Sequence, residues 1–504
     1  MSQQHQEQER FVSSAWCLGA AQFVGSGATY ALLYILTKLG VDQYGLWVLT
    51  LVLVGYLTPW ATLGLANALI RFVPSYTNHN QRVAAYSLAC RCSLGFSISV
   101  GAGLVIFARP IAAALLGGQE HWALVVLVAV LVPLEAQFQL GNGVLQARES
   151  LGVFALLTVV RYTFEVIVLA WLAWWLPNLE VMLGARAAIL LALVLAQHFL
   201  VLKLVSGESI GAYEAKKELK RYLSFGLPMI PASFIWSLVM GVDRFMLEHL
   251  GRVSEVAIYA VADTLALVLL NYTRPINGIL QPRFANLIDQ RVDEVQRYLA
   301  GAIKYLGILL FPGAVGLVVL AEGLVDLISH PGFERAAGMM PWLVWAYLLI
   351  GLSNPLYHLV YLRRGGRLFL WLFSLCLGVN ISLNLLLIPV WSGVGAALAT
   401  LGCFGVYVGG LLVYCDVPTL RTLVGQWQPL ATAAGCSVMM GVALLFAKHI
   451  EPGLGLPILI GLGVMIYGLS IWVVGLVSHS ERRLLLAPLS RIKIMRRSPF
   501  KSTT

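Results

Sequence analysis

The sequence predicts an all-α polytopic membrane protein with about 14 transmembrane helices. Hydrophobic residues make up 59% of its 504 residues and charged residues only 12%, whereas soluble domains carry about 25% charged residues. The mean hydropathy is +0.81. Apolar runs recur along the chain, and each is long enough, at ~1.5 Å per helical residue, to cross a ~30 Å hydrocarbon core.

The apolar runs, taken in order between polar breaks, define the expected spans. They lie near residues 13–37, 44–70, 84–107, 122–145, 151–175, 181–205, 225–247, 255–275, 302–328, 339–362, 368–389, 393–414, 427–447 and 456–477. The first run is too long for the apolar region of a signal peptide, so we expect it to remain as an uncleaved anchor.

The Lys and Arg residues supply an independent check on this topology, because basic loops stay on the cytoplasmic side. With the N-terminus in the cytoplasm, most basic loop residues fall on that side. The opposite side carries only Lys38, Arg109, Arg252, Arg335 and Lys448. Both termini are therefore expected in the cytoplasm. The net charge of +10 follows from the topology, so no nucleic-acid partner is expected.

The spans also predict how the chain is organised. Residues 34–47 align with 244–259, and Arg71-Phe72 lies 212 positions before Arg283-Phe284, so spans 1–6 match spans 7–12. Two halves of six spans share one orientation and are related by an axis along the membrane normal. The expected segments are an N-terminal lobe at 1–205, a cytoplasmic linker helix at 206–224, a C-terminal lobe at 225–415, two additional spans at 416–477 and a basic cytoplasmic tail at 478–504.

Charged side chains inside spans usually face the bundle interior or a wet cavity. Arg161 is the deepest, about ten residues or ~15 Å into span 5. Glu165 follows at i+4 on the same helical face and can neutralise it. Two interpretations remain open for this pair: a self-compensated structural ion pair, or a site where the arginine binds anionic substrate.

Four further arginines lie nearer the ends of spans: Arg91, Arg186, Arg244 and Arg274. There the favoured interpretation is that each side chain extends to the membrane interface. The alternative is that they point inward with Arg161 and form a cationic lining suited to phosphate oxygens, which arginine binds in bidentate fashion.

The acidic residues in spans supply the candidates for coupling and gating. Asp263 in span 8 and Glu135 in span 4 are candidate proton or cation carriers, with a structural carboxylate as the alternative for each. Asp243 and Arg244 lie near the periplasmic end of span 7, where they are better placed for lobe closure than for first capture of substrate. Transport would draw on a proton or sodium gradient, the membrane potential or the substrate itself.

Common signatures of catalysis and cofactor binding are absent from the sequence. It contains no Walker A motif, no HExxH, no GxSxG and no sizeable soluble loop for a catalytic domain. The seven cysteines show no spacing typical of metal ligands or of a disulfide framework. We therefore expect a transporter without a metal or bound cofactor.

Several blocks together resemble the Wzx-type polysaccharide flippases of the MOP superfamily. FGLPMIPASFIWSLVMGVDRFMLEHLG (225–251) and VAIYAVADTLALVL (256–269) are similar to the start of the second lobe. LTKLGVDQYGLWVLTLVLVGYLTPWATLGLANALIRFV (36–73) resembles the matching N-terminal block, and GVNISLNLLLIPVWSGVGAALATL (378–401) a third. The similarity covers spans 1–12 in order. Asp263 departs from the family pattern, in which an Ala-Tyr-Lys sequence is common.

The resemblance implies a lipid-linked oligosaccharide flippase of the bacterial inner membrane. Two six-helix lobes would form a V-shaped central cavity, open first to the cytoplasm and then to the periplasm, with two C-terminal helices added. The partners it implies are a polyprenyl-pyrophosphate-linked repeat unit, membrane lipids, a polysaccharide polymerase and a chain-length regulator. Arg161 is the first candidate for the pyrophosphate, and the pathway would be O-antigen, exopolysaccharide or capsule export.

Three other functions stay open at this point. A drug or cation antiporter of the related MATE group has the same two-lobed design, but its cavity is expected to hold more acidic than basic residues. A polysaccharide polymerase has a similar number of spans and usually a substantial periplasmic loop. A structural subunit of a membrane synthase complex would use the basic tail for docking.

Overall fold

The computed structural model of the protein describes residues 24–76, 79–148, 150–204, 212–271, 273, 280, 283–284, 287, 292–451 and 453–476. Every regular element in these residues is a helix, which confirms the all-α prediction. Twelve of the described helices are long and apolar enough to cross a membrane. One shorter apolar helix, Val24–Thr37, begins at the first described residue. The total of about 14 spans stays a prediction.

We number the helices in chain order. They are α1 (Val24–Thr37), α2 (Val41–Ala61), α3 (Leu65–Phe72), α4 (His79–Ile106), α5 (Ala108–Leu115), α6 (Trp122–Ala147), α7 (Leu151–Trp175), α8 (Leu179–Leu204), α9 (Ala212–Gly226), α10 (Ile230–Val239), α11 (Val242–Leu250), α12 (Val253–Ala266), α13 (Val292–Val319), α14 (Ala321–Ile328), α15 (Ala336–Arg364), α16 (Gly366–Val413), α17 (Val417–Gly425), α18 (Trp427–Ile450) and α19 (Leu456–Val474).

Some predicted spans are broken or joined in the structure. The second predicted span becomes α2 and α3, separated at Leu63 and Gly64, which both have positive φ. The seventh becomes α10 and α11, which meet at Gly241, where the backbone leaves the helical conformation. The eleventh and twelfth form the two arms of α16, which reverse at Ser392 with φ 50° and ψ −127°.

Backbone contacts divide the chain into two compact units. The first contains the described residues within Met1–Val268, Ala321–Leu349 and Leu359–Tyr414. Within it, α2 packs along α12, and a Cβ atom at Gly45 would come within 2.4 Å of the Val253 carbonyl oxygen. Because Gly45 has no side chain, the two backbones can approach closely. Gly45 and Val253 lie in residues 34–47 and 244–259, the two segments that align with each other in the internal repeat.

Helix α9 attaches to the first half of this unit through aromatic and polar contacts. The ring of Tyr222, which is fully buried, stacks on Phe72 with centroids 5.7 Å apart. Its hydroxyl lies 2.6 Å from that of Tyr76, which donates a hydrogen bond to the Glu218 carboxylate. Burial, together with this hydrogen bond, raises the pKa of Tyr76 to about 12. The Tyr76 hydroxyl therefore keeps its proton and remains a donor across the physiological pH range.

The second unit contains the described residues within Leu269–Leu320, Ile350–His358 and Cys415–Thr504. Helix α18 packs along α13 and α19, and α17 packs along α13. The Tyr467 hydroxyl of α19 donates to the Ile308 carbonyl at 2.7 Å, and the Gln296 amide lies 3.1 Å from the Thr419 hydroxyl. These polar contacts fix the register of α13 against its neighbours.

Replacing Gly64 with alanine should lower the thermal unfolding midpoint of the purified protein. Gly64 has φ +67°, and a Cβ atom there would lie 2.4 Å from the Gly226 carbonyl oxygen. Left-handed strain and overpacking together cost roughly 2–5 kcal/mol. Gly95→Ala is the matched control, because Gly95 lies within α4 and an added Cβ has no atom within 4 Å. Equal midpoints for the two variants would contradict the close packing of α9 on this turn.

Candidate functional site

Four charged side chains from three helices form an ion-pair cluster in the first unit, which we call the quartet: Glu135 of α6, Arg161 and Glu165 of α7, and Arg186 of α8. Arg161 donates to both oxygens of Glu135, with Nη1 to Oε2 at 3.1 Å, and its Nε lies 3.2 Å from Glu165 Oε1. Arg186 Nη1 lies 3.2 Å from Glu165 Oε2, and its Nη2 lies 3.7 Å from Glu135 Oε1. Each arginine therefore contacts both glutamates.

The quartet lies at membrane depth and is nearly excluded from solvent. Its side chains are 1–15% exposed, with Glu165 the most buried. The Arg161 guanidinium also lies over the Phe138 ring, 5.0 Å from its centroid. With two guanidinium groups and two carboxylates, the quartet has no net charge when all four groups are ionised. Mutual pairing offsets the large desolvation penalty of burying each group alone.

Three of the four quartet residues line a cavity of about 590 Å³ in the first unit. Arg161, Glu165 and Arg186 reach this cavity from one side, and Arg244 of α11 reaches it from another. Aromatic side chains cover much of the remaining wall: Tyr44, Trp47, Tyr56, Tyr162 and Trp236. The volume lies within the ~300–1,000 Å³ typical of small-molecule sites. The described lining thus contains three arginines and one carboxylate.

A second cavity of about 360 Å³ adjoins the first. Glu135 and Gln139 of α6 line it, and Arg186 and Ser237 belong to the linings of both cavities. Members of the quartet therefore contribute to the linings of two neighbouring cavities. A ligand in either space can reach the Arg186 side chain.

A second group of buried polar side chains, which we call the aspartate cluster, lies in helices α11, α12, α15 and α16. Its members are Asp243, Arg244, Tyr259, Asp263, Tyr347 and Thr400. Arg244 pairs with Asp263, whose other oxygen accepts from the Tyr347 hydroxyl. Asp243 accepts from the Tyr259 hydroxyl, and Thr400 lies 3.3 Å from the same oxygen. One guanidinium group thus serves two aspartates.

The aspartate cluster is less completely paired than the quartet. Arg244 Nη1 lies 3.8 Å from Asp243 Oδ1, beyond hydrogen-bonding distance. That oxygen and Arg244 Nε are buried and have no hydrogen-bond partner among the described residues. With all three groups ionised, the cluster carries one excess negative charge. Either a proton or a cation would balance it.

The structure brings most of the predicted site residues into these two clusters. The i,i+4 contact of Arg161 with Glu165 is present. The interface interpretation is wrong for Arg186 and Arg244, whose side chains are 14% and 12% exposed, because each turns inward to a carboxylate on a neighbouring helix. Arg91 is exposed on α4 and belongs to neither cavity lining. Arg274 lies outside the described residues.

Other site residues carry no signal that sequence reasoning could use. The five aromatic residues of the cavity wall come from α2, α7 and α10, and an aromatic side chain in an apolar run is typical of ordinary membrane helices. Tyr347 and Thr400 reach the aspartate cluster from distant parts of the chain.

Among the described residues, His, Cys, Asp and Glu side chains form no group of three that could hold a metal ion.

Comparison with known proteins gives one family match. A family model described as "Polysaccharide biosynthesis protein" matches residues 36–330 of this chain. No curated protein sequence matches it.

Several solved structures have a similar fold. A lipid II flippase, MurJ, in an inward closed conformation superposes with a TM-score of 0.74 at 11% identity, covering 92% of this chain and 99% of that one. An inward-facing MATE-family multidrug resistance transporter of the MOP superfamily gives 0.59 at 14% identity, covering 81% and 95%. A MOP superfamily transporter from Pyrococcus furiosus, described as having a binding pocket of reverse polarity, gives 0.56 at 14% identity, covering 82% and 95%.

Proposed function

The chain belongs to the polysaccharide biosynthesis protein family, and from that premise we propose that it flips polyprenyl-pyrophosphate-linked oligosaccharide units across the bacterial inner membrane. The units move from the cytoplasmic to the periplasmic leaflet for export as O-antigen, exopolysaccharide or capsule. Both termini lie in the cytoplasm. A polymerase and a chain-length regulator act on the units after they cross.

The observation that carries this proposal is the cavity lined by Arg161, Arg186 and Arg244 among membrane-spanning helices. A diphosphate and a glycan cannot cross hydrocarbon unaided, because transferring charged and hydroxyl groups out of water is very unfavourable. Guanidinium groups bind phosphate oxygens in bidentate fashion. The aromatic wall supplies apolar ring faces for the sugars, while the polyprenyl tail stays in lipid.

The conformational cycle is proposed to be alternating access. The cavity opens first to the cytoplasm and then to the periplasm, and the two halves of the repeat move around it. Asp243, Arg244 and Asp263 take part in closure, because their cluster ties α11 and α12 to α15 and α16. The excess carboxylate of that cluster is a candidate site for coupling to a proton or sodium gradient, and Glu135 of the quartet is a second.

The same cavity argues against the main rival function. A drug or cation antiporter needs acidic side chains facing its substrate, whereas the described lining holds three arginines and a single carboxylate, Glu165. An anionic substrate suits this balance better than a cationic drug.

The direct test is transport by the purified protein in vesicles. We expect it to move a fluorescent polyprenyl-diphosphate-oligosaccharide between leaflets, so that an impermeant quencher added outside reaches the whole labelled pool rather than the outer leaflet alone. Phosphatidylcholine with the same fluorophore is the control for general scrambling and should stay in its leaflet. Movement of both lipids alike, or of neither, would overturn the proposed function, as would efflux of ethidium without movement of the oligosaccharide lipid.

A further inference from the structure

The arginines of the quartet, which could bind an anionic ligand, are already paired with carboxylates. The two arginines are the groups best suited to a diphosphate, yet each already contacts both glutamates. Arg161 uses its Nε, Nη1 and Nη2 nitrogens on those carboxylates. A diphosphate that entered the cavity would therefore find Arg161 occupied.

Electrostatics argue against simple addition of the ligand. The ionised quartet is neutral, and a diphosphate beside it would add two or more negative charges next to two carboxylates in a water-poor site. Like charges at such short distances in low dielectric repel strongly. Carboxylate and phosphate oxygens also prefer the same bidentate positions on the guanidinium group. The ligand and the glutamates are therefore alternatives for the same donors.

One arginine nitrogen of the quartet has no carboxylate partner in the described part of the chain and can donate to a ligand oxygen. Arg186 Nε is buried and has no hydrogen-bond partner among the described residues. Its side chain reaches both cavities, so a ligand can contact this arginine before any ion pair breaks. Arg186 is also the more loosely held of the two, with one 3.2 Å and one 3.7 Å contact to the glutamates.

We propose that Glu135 and Glu165 act as an internal counter-anion for Arg161 and Arg186. The diphosphate of the substrate displaces the two carboxylates from the arginines on binding, and the carboxylates displace the diphosphate on release. This inference rests on the proposed function and deepens it. The glutamates are positioning residues, because they act on substrate through the arginines. They keep the affinity of the site low enough for release while still holding the empty arginines in place.

The test is the affinity of the purified full-length protein for farnesyl diphosphate in detergent, followed by quenching of tryptophan fluorescence from Trp47 and Trp236 in the cavity wall. Glu165→Gln should bind the probe at least roughly tenfold more tightly than the wild type, within the usual range of coupling between competing sites. In vesicles the same variant should transport more slowly, because release is impaired. Glu135→Gln provides a second variant with the same expectation.

Tighter binding combined with slower transport is a readout that a purely structural role of the glutamates would not produce, because a loss of structure would weaken both. Glu180→Gln, an exposed position in the first turn of α8, is the matched control and should match the wild type in affinity and transport.

Two outcomes separate this inference from the function on which it rests. If Arg161→Lys weakens binding while both glutamine variants bind no more tightly than the wild type, the counter-anion is wrong and the flippase proposal stands. If Arg161→Lys also leaves the affinity for farnesyl diphosphate unchanged, the arginine site of the proposed function is wrong as well. The difference in affinity between the wild type and each variant should be smaller for farnesyl monophosphate than for farnesyl diphosphate. Equal differences for the two probes would contradict displacement by a diphosphate.

Discussion

Replacing Arg161 with alanine is expected to lower the rate of oligosaccharide-lipid transport at least about 100-fold. The substitution removes the guanidinium group at the centre of the quartet, and hydrogen bonds to charged groups contribute ~1.5–3 kcal/mol each. The loss of ~2.7 kcal/mol is equivalent to about 100-fold in rate. The measurement is polymer export in cells or flipping in vesicles, at matched protein level.

Two variants make this result interpretable. Arg161→Lys keeps the positive charge but loses the bidentate guanidinium group, so its transport rate should lie between those of Arg161→Ala and the wild type. Arg91→Ala removes an exposed arginine from α4, outside both cavity linings, and should transport at the wild-type rate. If Arg161→Ala exported polymer as fast as the wild type, Arg161 would have no part in binding substrate.

The architecture was largely predictable because hydropathy and length fix membrane helices locally. The breaks within helices were not. Nothing in the apolar run around Gly241 distinguishes it from other glycines, and the reversal at Ser392 depends on how the two arms of α16 pack. Backbone conformation at such points is set by tertiary contacts, which a hydropathy pattern does not contain.

In the candidate site too, a contact within one helix can be predicted from the sequence, whereas contacts between helices cannot. Arg161 and Glu165 are four residues apart on one helix, so helical periodicity alone predicted their contact. Glu135 lies 26 residues from Arg161, on another helix, and no spacing rule connects them. The position of Arg186 along its span favours an interfacial side chain, although its rotation about the helix axis turns it inward. Depth can be read from a sequence, whereas the partner of a buried charge cannot.

Replacing Arg244 with alanine is expected to cause the largest loss of stability. It would leave Asp243 and Asp263 buried, at 2% and 3% exposure, without the arginine that lies beside both. Removing one partner of a buried ion pair destabilises by about 3–5 kcal/mol, because the remaining charge stays uncompensated. The measurement is the thermal unfolding midpoint in detergent, followed by far-UV circular dichroism. Arg252→Ala, at an exposed arginine just before α12, is the control and should leave the midpoint unchanged.

A double substitution distinguishes a charge effect from a packing effect. Arg244→Met with Asp263→Asn removes both members of the pair and keeps most of their volume, so it should recover most of the lost stability. Asp243 would still accept from Tyr259. If the double variant were no more stable than the single variant Arg244→Met, which keeps the same volume at position 244, the uncompensated charge of Asp263 would not be the cause of the loss. If Arg244→Ala unfolded at the wild-type midpoint, Arg244 would not compensate the two buried aspartates, which would contradict the charge balance assigned to the cluster.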